Sequence, residues 1–295
     1  MQVLKIEAIS KRYGKIQALK EVSLTVHRGE IWGILGPNGS GKTTLLGVIL
    51  DIIHADAGNF RWFEDLYHGN HRLHLGALLE TPNFYPDLNA LENLRIIQHI
   101  KKYHDDDLQK LLQLVKLDHR KYSKFTTYSL GMKQRLAIAG TLIGNPEVII
   151  FDEPTNGLDP EGIADVRQTL REVATSGKTI ILASHILDEV EKICSHAAIL
   201  QNGALIKAGP VSSILSDKNL YQLQSSDNSA LFNLFEQFPG ISNIRFNHEY
   251  LELETNSDLS GTELNKIAFN HGIILGHLVN RKTSLEEEFL KLIQG

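Results

Sequence analysis

An α/β fold with a smaller α+β module behind it is what the sequence predicts, and three observations carry that expectation. Short apolar runs alternate with longer amphipathic stretches, the pattern of a sheet covered by helices. A glycine-rich turn, residues 36–41, joins one apolar run directly to a helical stretch. Beyond Gly209-Pro210 the composition changes, and the rest of the chain reads β-α-β-β-α-β, the order of a ferredoxin-like module.

Residues 3–8 and 22–26 alternate with period two and read as strands. Ile31-Trp32-Gly33-Ile34-Leu35 and Val148-Ile149-Ile150-Phe151 are apolar throughout and read as buried parallel strands, with residues 179–183 and 197–200 as further members. The region between them has helical period. Leu88, Leu91, Leu94, Ile97 and Ile100 fall on one face, and Leu108, Leu111, Leu112 and Val115 on another, so residues 87–140 read as a helical subdomain entered through Pro82 and Pro86. The C-terminal module is expected as strand 221–224, helix 230–237, strand 244–246, turn 247–249, strand 250–253, helix 263–270 and strand 273–279. A last helix opens at Ser284-Leu285-Glu286-Glu287, which has capping-box spacing.

The 295 residues suit one main domain, residues 1–215, plus a small one, residues 220–295. The formal charge is 30 − 35 = −5, which argues against a surface dominated by basic residues for nucleic acid. A single cysteine, Cys194, forms no internal disulfide and fits a reducing compartment. Met1–Glu7 shows no basic-then-apolar signal pattern, and no stretch approaches the ~18 consecutive apolar residues of a spanning helix. The expectation is a chain without a transmembrane segment.

Gly36-Pro37-Asn38-Gly39-Ser40-Gly41-Lys42-Thr43 satisfies G-x-x-x-x-G-K-[ST] between an apolar run and the helical run that begins at Thr44. Glycines let backbone N–H groups converge on phosphate oxygens, and the helix N-terminus adds partial positive charge. Lys42 is placed for the β and γ phosphates and the Thr43 hydroxyl for Mg²⁺. A glycine turn with a chance lysine is the alternative, which strand before and helix after disfavour. Asp152 and Glu153 end the buried run at Phe151. Asp152 is a candidate Mg²⁺ ligand, and Glu153 a candidate to polarise an attacking water.

Together with later motifs, these residues resemble the ATP-binding subunits of ATP-binding-cassette (ABC) transporters over residues 1–215. Ser129-Leu130-Gly131-Met132-Lys133-Gln134-Arg135 looks like the ABC signature, Asn156-Gly157-Leu158-Asp159 like the D-loop, His185 like the switch histidine, and Tyr13 like the aromatic that stacks on adenine. The resemblance implies a P-loop NTPase cassette with a mixed sheet core and ATP and Mg²⁺ bound. It also implies a homodimer in which Ser129 and Gly131 of one cassette complete the γ-phosphate cage of the other. ATP binding would close that dimer and hydrolysis reopen it. A separate integral membrane permease would carry the chain at the cytoplasmic face of the cell membrane, touched by residues 80–91.

Two departures from the family pattern stand out. The signature reads Tyr128-Ser129-Leu130-Gly131-Met132 instead of Leu-Ser-Gly-Gly-Gln, and Gly76-Ala77-Leu78-Leu79-Glu80 puts a glutamate where the Q-loop glutamine stands. Glu80 is then a candidate metal ligand whose charge alters the balance at the metal. Both changes, with Thr81-Pro82-Asn83-Phe84-Tyr85-Pro86 and the tail Ser284-Leu285-Glu286-Glu287-Glu288-Phe289-Leu290, resemble the branch that exports bacitracin-like and lantibiotic peptides or confers immunity to them. The rival is a non-transport ABC ATPase acting on ribosome or nucleic acid. Such proteins generally carry two cassettes or a long coiled coil and need positive surface, none of which is evident here.

Four other features have simpler readings. His68, His71 and His74 have metal-ligand spacing, but Gly69-Asn70 interrupts any helix, and a solvated connector is expected. Asp105-Asp106-Asp107 suits a helix N-terminus, and Cys194 a small core residue. Phe232, Phe235 and Phe238 recur every three residues, as core positions of a helix do.

Overall fold

The alternation at the N-terminus extends further than residues 3–8 and 22–26. Both strands run for twelve residues, β1 (Gln2–Tyr13) and β2 (Ile16–His27), paired antiparallel across Gly14-Lys15. The computed structural model describes residues 1–79, 81–105, 107–215, 219–247, 249–255, 259–281 and 284–294. Within the chain two compact units separate, Met1–Val211 and Ser212–Gly295.

In the first unit, β3 (Ile31–Leu35) leads through the glycine-rich turn into α1 (Lys42–Ile49). Next comes β4 (Ala57–Trp62), an unpredicted strand that pairs with β1 to give a three-stranded sheet, β2-β1-β4. Its sequence, Ala-Gly-Asn-Phe-Arg-Trp, lacks apolar alternation because only Trp62 at its end is fully buried. A second unpredicted strand, β5 (Leu75–Leu78), is four residues long and takes its register from the buried strand at Val148.

Helices α2 (Ala90–Lys101), α3 (Leu108–Leu114) and α4 (Leu130–Leu142) occupy the region of helical period. Asn89 and Glu92 cap α2 reciprocally, and Asp107 caps α3 through the N–H groups of Gln109 and Lys110. The expected apolar face of α2 needs correction at one end: Ile100 is 76% exposed, while Asn93 and Gln98 are buried beside Leu94. Asn93 earns its interior place by hydrogen bonding. Its side chain accepts from Tyr85 N–H and donates to the carbonyls of Tyr85, Leu88 and Asn89, fixing the turn before the helix.

From there β6 (Val148–Asp152), α5 (Pro160–Thr175), β7 (Thr179–Ser184), α6 (Leu187–Ile193), β8 (His196–Gln201) and β9 (Ala204–Pro210) complete the unit. The second sheet runs β5-β6-β7-β3-β8-β9, parallel except for the β8-β9 hairpin. Every residue of β6 and β7 is buried, as strands covered on both faces require. The hairpin turns at Asn202-Gly203, both at positive φ, which makes β9 a strand that apolar runs did not indicate. A core of Leu4, Ile6, Ile9, Val22, Leu24 and Val26 from the first sheet packs with Leu45, Leu46 and Ile49 of α1.

One helical turn, α7 (Val211–Ile214), carries the chain across the boundary. The second unit contains β10 (Asn219–Ser225), α8 (Asn228–Glu236), β11 (Ile241–Asn247), β12 (Tyr250–Thr255), α9 (Gly261–Asn270), β13 (Leu275–Arg281) and α10 (Leu285–Gln294). Its antiparallel sheet has the order β11-β12-β10-β13. The last strand begins two residues later than residue 273, since Ile274 is 75% exposed ahead of it. Tyr221, Leu223, Leu251 and Leu253 of the sheet meet Leu231, Phe235, Leu264 and Ala268 of the two helices. Phe232 and Phe238 pack against the same core, and Phe232 stacks on Phe246. Neighbouring positions along the strands face the other way. There the buried Glu252 accepts hydrogen bonds from Gln222, Asn247 and Arg245.

Candidate nucleotide site

The order β6-β7-β3 brings three loops to one edge of the parallel sheet. Leu35 pairs with Ser184 and Asp152 with Ala183, so the turns starting at Gly36, His185 and Glu153 leave adjacent strands at nearly the same level. This is the carboxyl-end crevice in which open α/β sheets bind ligands.

The phosphate loop is shaped by close approach. Gly41 sits at φ 105, and a side chain there would meet the Ala18 carbonyl at 2.4 Å. At Gly36 a side chain would lie 2.3 Å from the Leu200 carbonyl and 2.4 Å from Ser40 Oγ. The Gly203 N–H donates to the Ser40 carbonyl, closing the loop onto the β8-β9 hairpin. Pro37, Asn38 and Gly39 are exposed, Thr43 is exposed and Thr44 half-buried. Helix α1 has no side-chain cap and no acid in its first turn, which leaves its N-terminal donors and dipole to an outside anion. Ser40 Oγ is buried without a hydrogen-bond partner, and Lys42, 6% exposed, donates to the carbonyls of Gly36 and Pro37 at 2.9 and 3.3 Å. An uncapped helix start, a buried ammonium and an orphaned hydroxyl in one loop fit a polyphosphate.

Across the crevice, Asp152 is buried at the end of β6. Glu153 follows in the left-handed region at φ 49, with its N–H bonded to the Ala183 carbonyl of β7. That turn points its carboxylate at two partners. Oε1 lies 3.5 Å from Lys42 Nζ, and Oε2 lies 2.8 Å from His185 Nδ1 and 3.4 Å from the His185 N–H. The structure therefore brings Lys42, Glu153 and His185 together in one chain of contacts.

Other expected residues lie elsewhere. Tyr13 is 46% exposed at the end of β1, with the Lys11 ammonium 5.6 Å from its ring centroid. The ribbon it belongs to passes the phosphate loop at Ala18 and Leu19. Ser129 caps α4 by accepting from the Met132 N–H and is exposed, as is Leu130. A side chain at Gly131 would meet Gly162 Cα at 3.4 Å, so the start of α4 packs on the start of α5, where Asp159 caps through the Gly162 N–H. Glu80 lies outside the described residues, as does Asp106 of the acidic triplet.

Sequence reasoning missed Thr155 and Glu189, whose side chains meet at 2.5 Å beside Glu153 and His185. Arg135, the last residue of the signature-like segment, donates to the Val115 and Lys116 carbonyls and pairs with Asp165 at 3.4 Å, tying α4 to α5. The signal for Glu189 was its position four residues after His185. The histidine connector is less solvated than expected: His74 stacks on Tyr67 with centroids 3.5 Å apart, and burial lowers its pKa. His71 pairs with Asp51 at 3.2 Å. Cys194 is buried, and that burial pushes its thiol far above the usual range.

A family model described as ABC transporter matches residues 19–156. The chain is 32% identical over 299 residues to the bacitracin transport ATP-binding protein BcrA of Enterococcus faecalis, covering 99% of this chain and 97% of that one. This chain belongs to the ABC transporter family. It is an ATP-binding, ATP-hydrolysing subunit of such a transporter, built on the P-loop cassette fold. The ABC resemblance extends to the lantibiotic transport ATP-binding protein SrtF of Streptococcus pyogenes, 33% identical over 204 residues, or 69% of this chain and 89% of that one. Among solved structures it includes the ATP-binding cassette MJ0796, a dimer in a post-hydrolysis state bound to ADP and Pi. That match has a TM-score of 0.62 and 26% identity, and covers 70% of this chain and 98% of the other. Among the described residues of this ABC subunit, no helix is long and apolar enough to cross a membrane.

Proposed function

We propose that this ABC ATPase drives export of a peptide antibiotic, as a homodimer held by a separate integral membrane permease at the cytoplasmic face of the membrane. The observation that carries the reading is the contact chain Lys42–Glu153–His185 at the carboxyl edge of β3, β6 and β7. In this reading the loop from Gly36 to Thr44 holds the phosphates, with Lys42 on the β and γ groups, and Tyr13 stacks on the adenine. Glu153 accepts the proton of the attacking water, and His185 holds that carboxylate while contacting the γ-phosphate. Asp152 and Thr43 would hold Mg²⁺, with Glu80 as a further ligand. When bound, the ion neutralises charge on the phosphates.

Export of a peptide antibiotic is supported by the bacitracin and lantibiotic transport roles in the names of the two relatives. A paired arrangement is supported by the dimeric MJ0796 cassette and by the exposed start of α4, where Ser129 and Gly131 would face a partner's nucleotide. Docking of the permease is supported by a cleft of about 330 Å³ lined in part by Phe84, Tyr85, Ile97 and Ile100. Asn93 holds the backbone of that cleft in place.

Affinity purification of the full chain from detergent-solubilised membranes tests the reading. A polytopic membrane protein should co-purify, and vesicles holding both should accumulate a bacitracin-type peptide in an ATP-dependent manner. Ribosomes or nucleic acid in its place would overturn it.

A further inference from the structure

Beyond Asp152 the chain turns sharply through Glu153 in the left-handed region, and two residues later Thr155 is 2% exposed. Backbone bonds from Asn156 to Glu153 and from Leu158 to Thr155 close this turn on itself. A side-chain bond connects it to the next element: the Thr155 hydroxyl donates to Glu189 Oε2 at 2.5 Å. Glu189 lies in α6, four residues after His185, and is 4% exposed. Its second oxygen, Oε1, is buried without a hydrogen-bond partner.

A buried carboxylate satisfied on one side only is a costly way to fill space, since an aliphatic side chain would pack there without desolvating charge. Burial pushes the Glu189 carboxyl above the usual range, against the lowering effect of the Thr155 hydrogen bond. What the group supplies is a connection. It links the loop that carries Glu153 to the helix that follows His185, and these two side chains meet at 2.8 Å.

We propose that Glu189 is a positioning residue for ATP hydrolysis: through Thr155 it holds the Glu153 loop in register with His185. The inference rests on the reading of Glu153 as the residue that polarises the attacking water. Displacement of a reacting group by about 1 Å costs as much as a hundredfold in rate, so loss of the tie should appear in turnover rather than in binding.

The test uses the purified full chain, with ATP hydrolysis at saturating Mg-ATP and nucleotide affinity by calorimetry. Thr155→Val and Glu189→Leu keep the local volume and remove the bond. Both should bind ATP as the wild type does while kcat falls by about tenfold to a hundredfold. Thr155→Ser and Glu189→Gln retain a donor–acceptor pair and should recover most of the lost turnover. Wild-type turnover in Thr155→Val and Glu189→Leu, beside an inactive Glu153→Gln control, would overturn the inference and leave the role of Glu153 intact. A parallel loss of affinity and melting temperature without rescue by Ser or Gln would reduce Glu189 to a packing residue. Wild-type turnover in Glu153→Gln would remove the underlying reading, and the inference with it.

Discussion

Glu153 Oε2 lies 2.8 Å from His185 Nδ1, and this contact joins the residues that immediately follow β6 and β7. The two are 32 residues apart in the chain, yet Asp152 pairs with Ala183 in the sheet, so both leave neighbouring strand ends. The other carboxylate oxygen faces Lys42 at 3.5 Å. A single acid thus stands between Lys42 and His185, and in the proposed reading it orders a water against a bound γ-phosphate there.

Replacing that acid isolates its role. Glu153→Gln keeps the shape and a hydrogen-bonding oxygen for His185 but removes the base. It should bind ATP normally and hydrolyse it at least about a hundredfold more slowly. ATP turnover of the purified subunit with its permease checks this, and wild-type turnover would count against it.

Lys42 is buried in the glycine-rich loop, where the proposed reading has it neutralise the β and γ phosphates. Lys42→Ala also strips the Gly36 and Pro37 carbonyls of their donor, loosening the loop. Its ATP affinity should fall below detection by calorimetry. Unchanged affinity would be incompatible with this phosphate site.

Asn93 organises the turn ahead of α2 through bonds to the backbone of Tyr85, Leu88 and Asn89. In Asn93→Ala the Tyr85 N–H loses its acceptor, while the carbonyls of Tyr85, Leu88 and Asn89 each lose one donor and keep a backbone one, at a cost of about 1 kcal/mol. The urea midpoint should drop accordingly, and proteolysis near Tyr85 should accelerate while ATP affinity holds. A variant as stable as wild type would show that the turn stands without it.

Glu252 gives the C-terminal unit a pH response. Burial raises its pKa, but hydrogen bonds from Asn247, Gln222 and Arg245 and the Arg245 charge outweigh burial and leave it lowered. The folded state therefore holds the proton less tightly than the unfolded chain. Stability from this group is fully present above the ordinary carboxylate value of 4.5 and is lost as pH falls through the lower folded value. Amide-exchange protection of β10, β11 and β12 should fall below about pH 4.5 in the wild type and respond less in Glu252→Gln. Equal acid sensitivity in both would point to another group.

Parts of this fold were legible wherever one short segment held all the information. The turn from Gly36 to Lys42 and the run from Val148 to Glu153 announce themselves because strand, turn and chemistry are contiguous. β5 was not legible: Leu75-Gly76-Ala77-Leu78 is a strand because Val148 and its neighbours supply its hydrogen bonds. Ile100 shows the opposite failure, since periodicity placed it inside while the buried face of α2 is set by Asn93, a polar residue that hydropathy assigns to the surface. Among the site residues, Thr155 and Glu189 escaped notice because their bond spans 34 positions and no local pattern pairs them.

The place of β3 in the sheet has a consequence for synthesis. Its hydrogen-bonded neighbours are β7 and β8, both made long after the phosphate loop has left the ribosome. A nascent chain that ends before Thr179 holds the whole glycine-rich motif with its strand still unpaired. In the proposed reading, the framework that holds the phosphates is therefore complete only after β7 and β8 have been made.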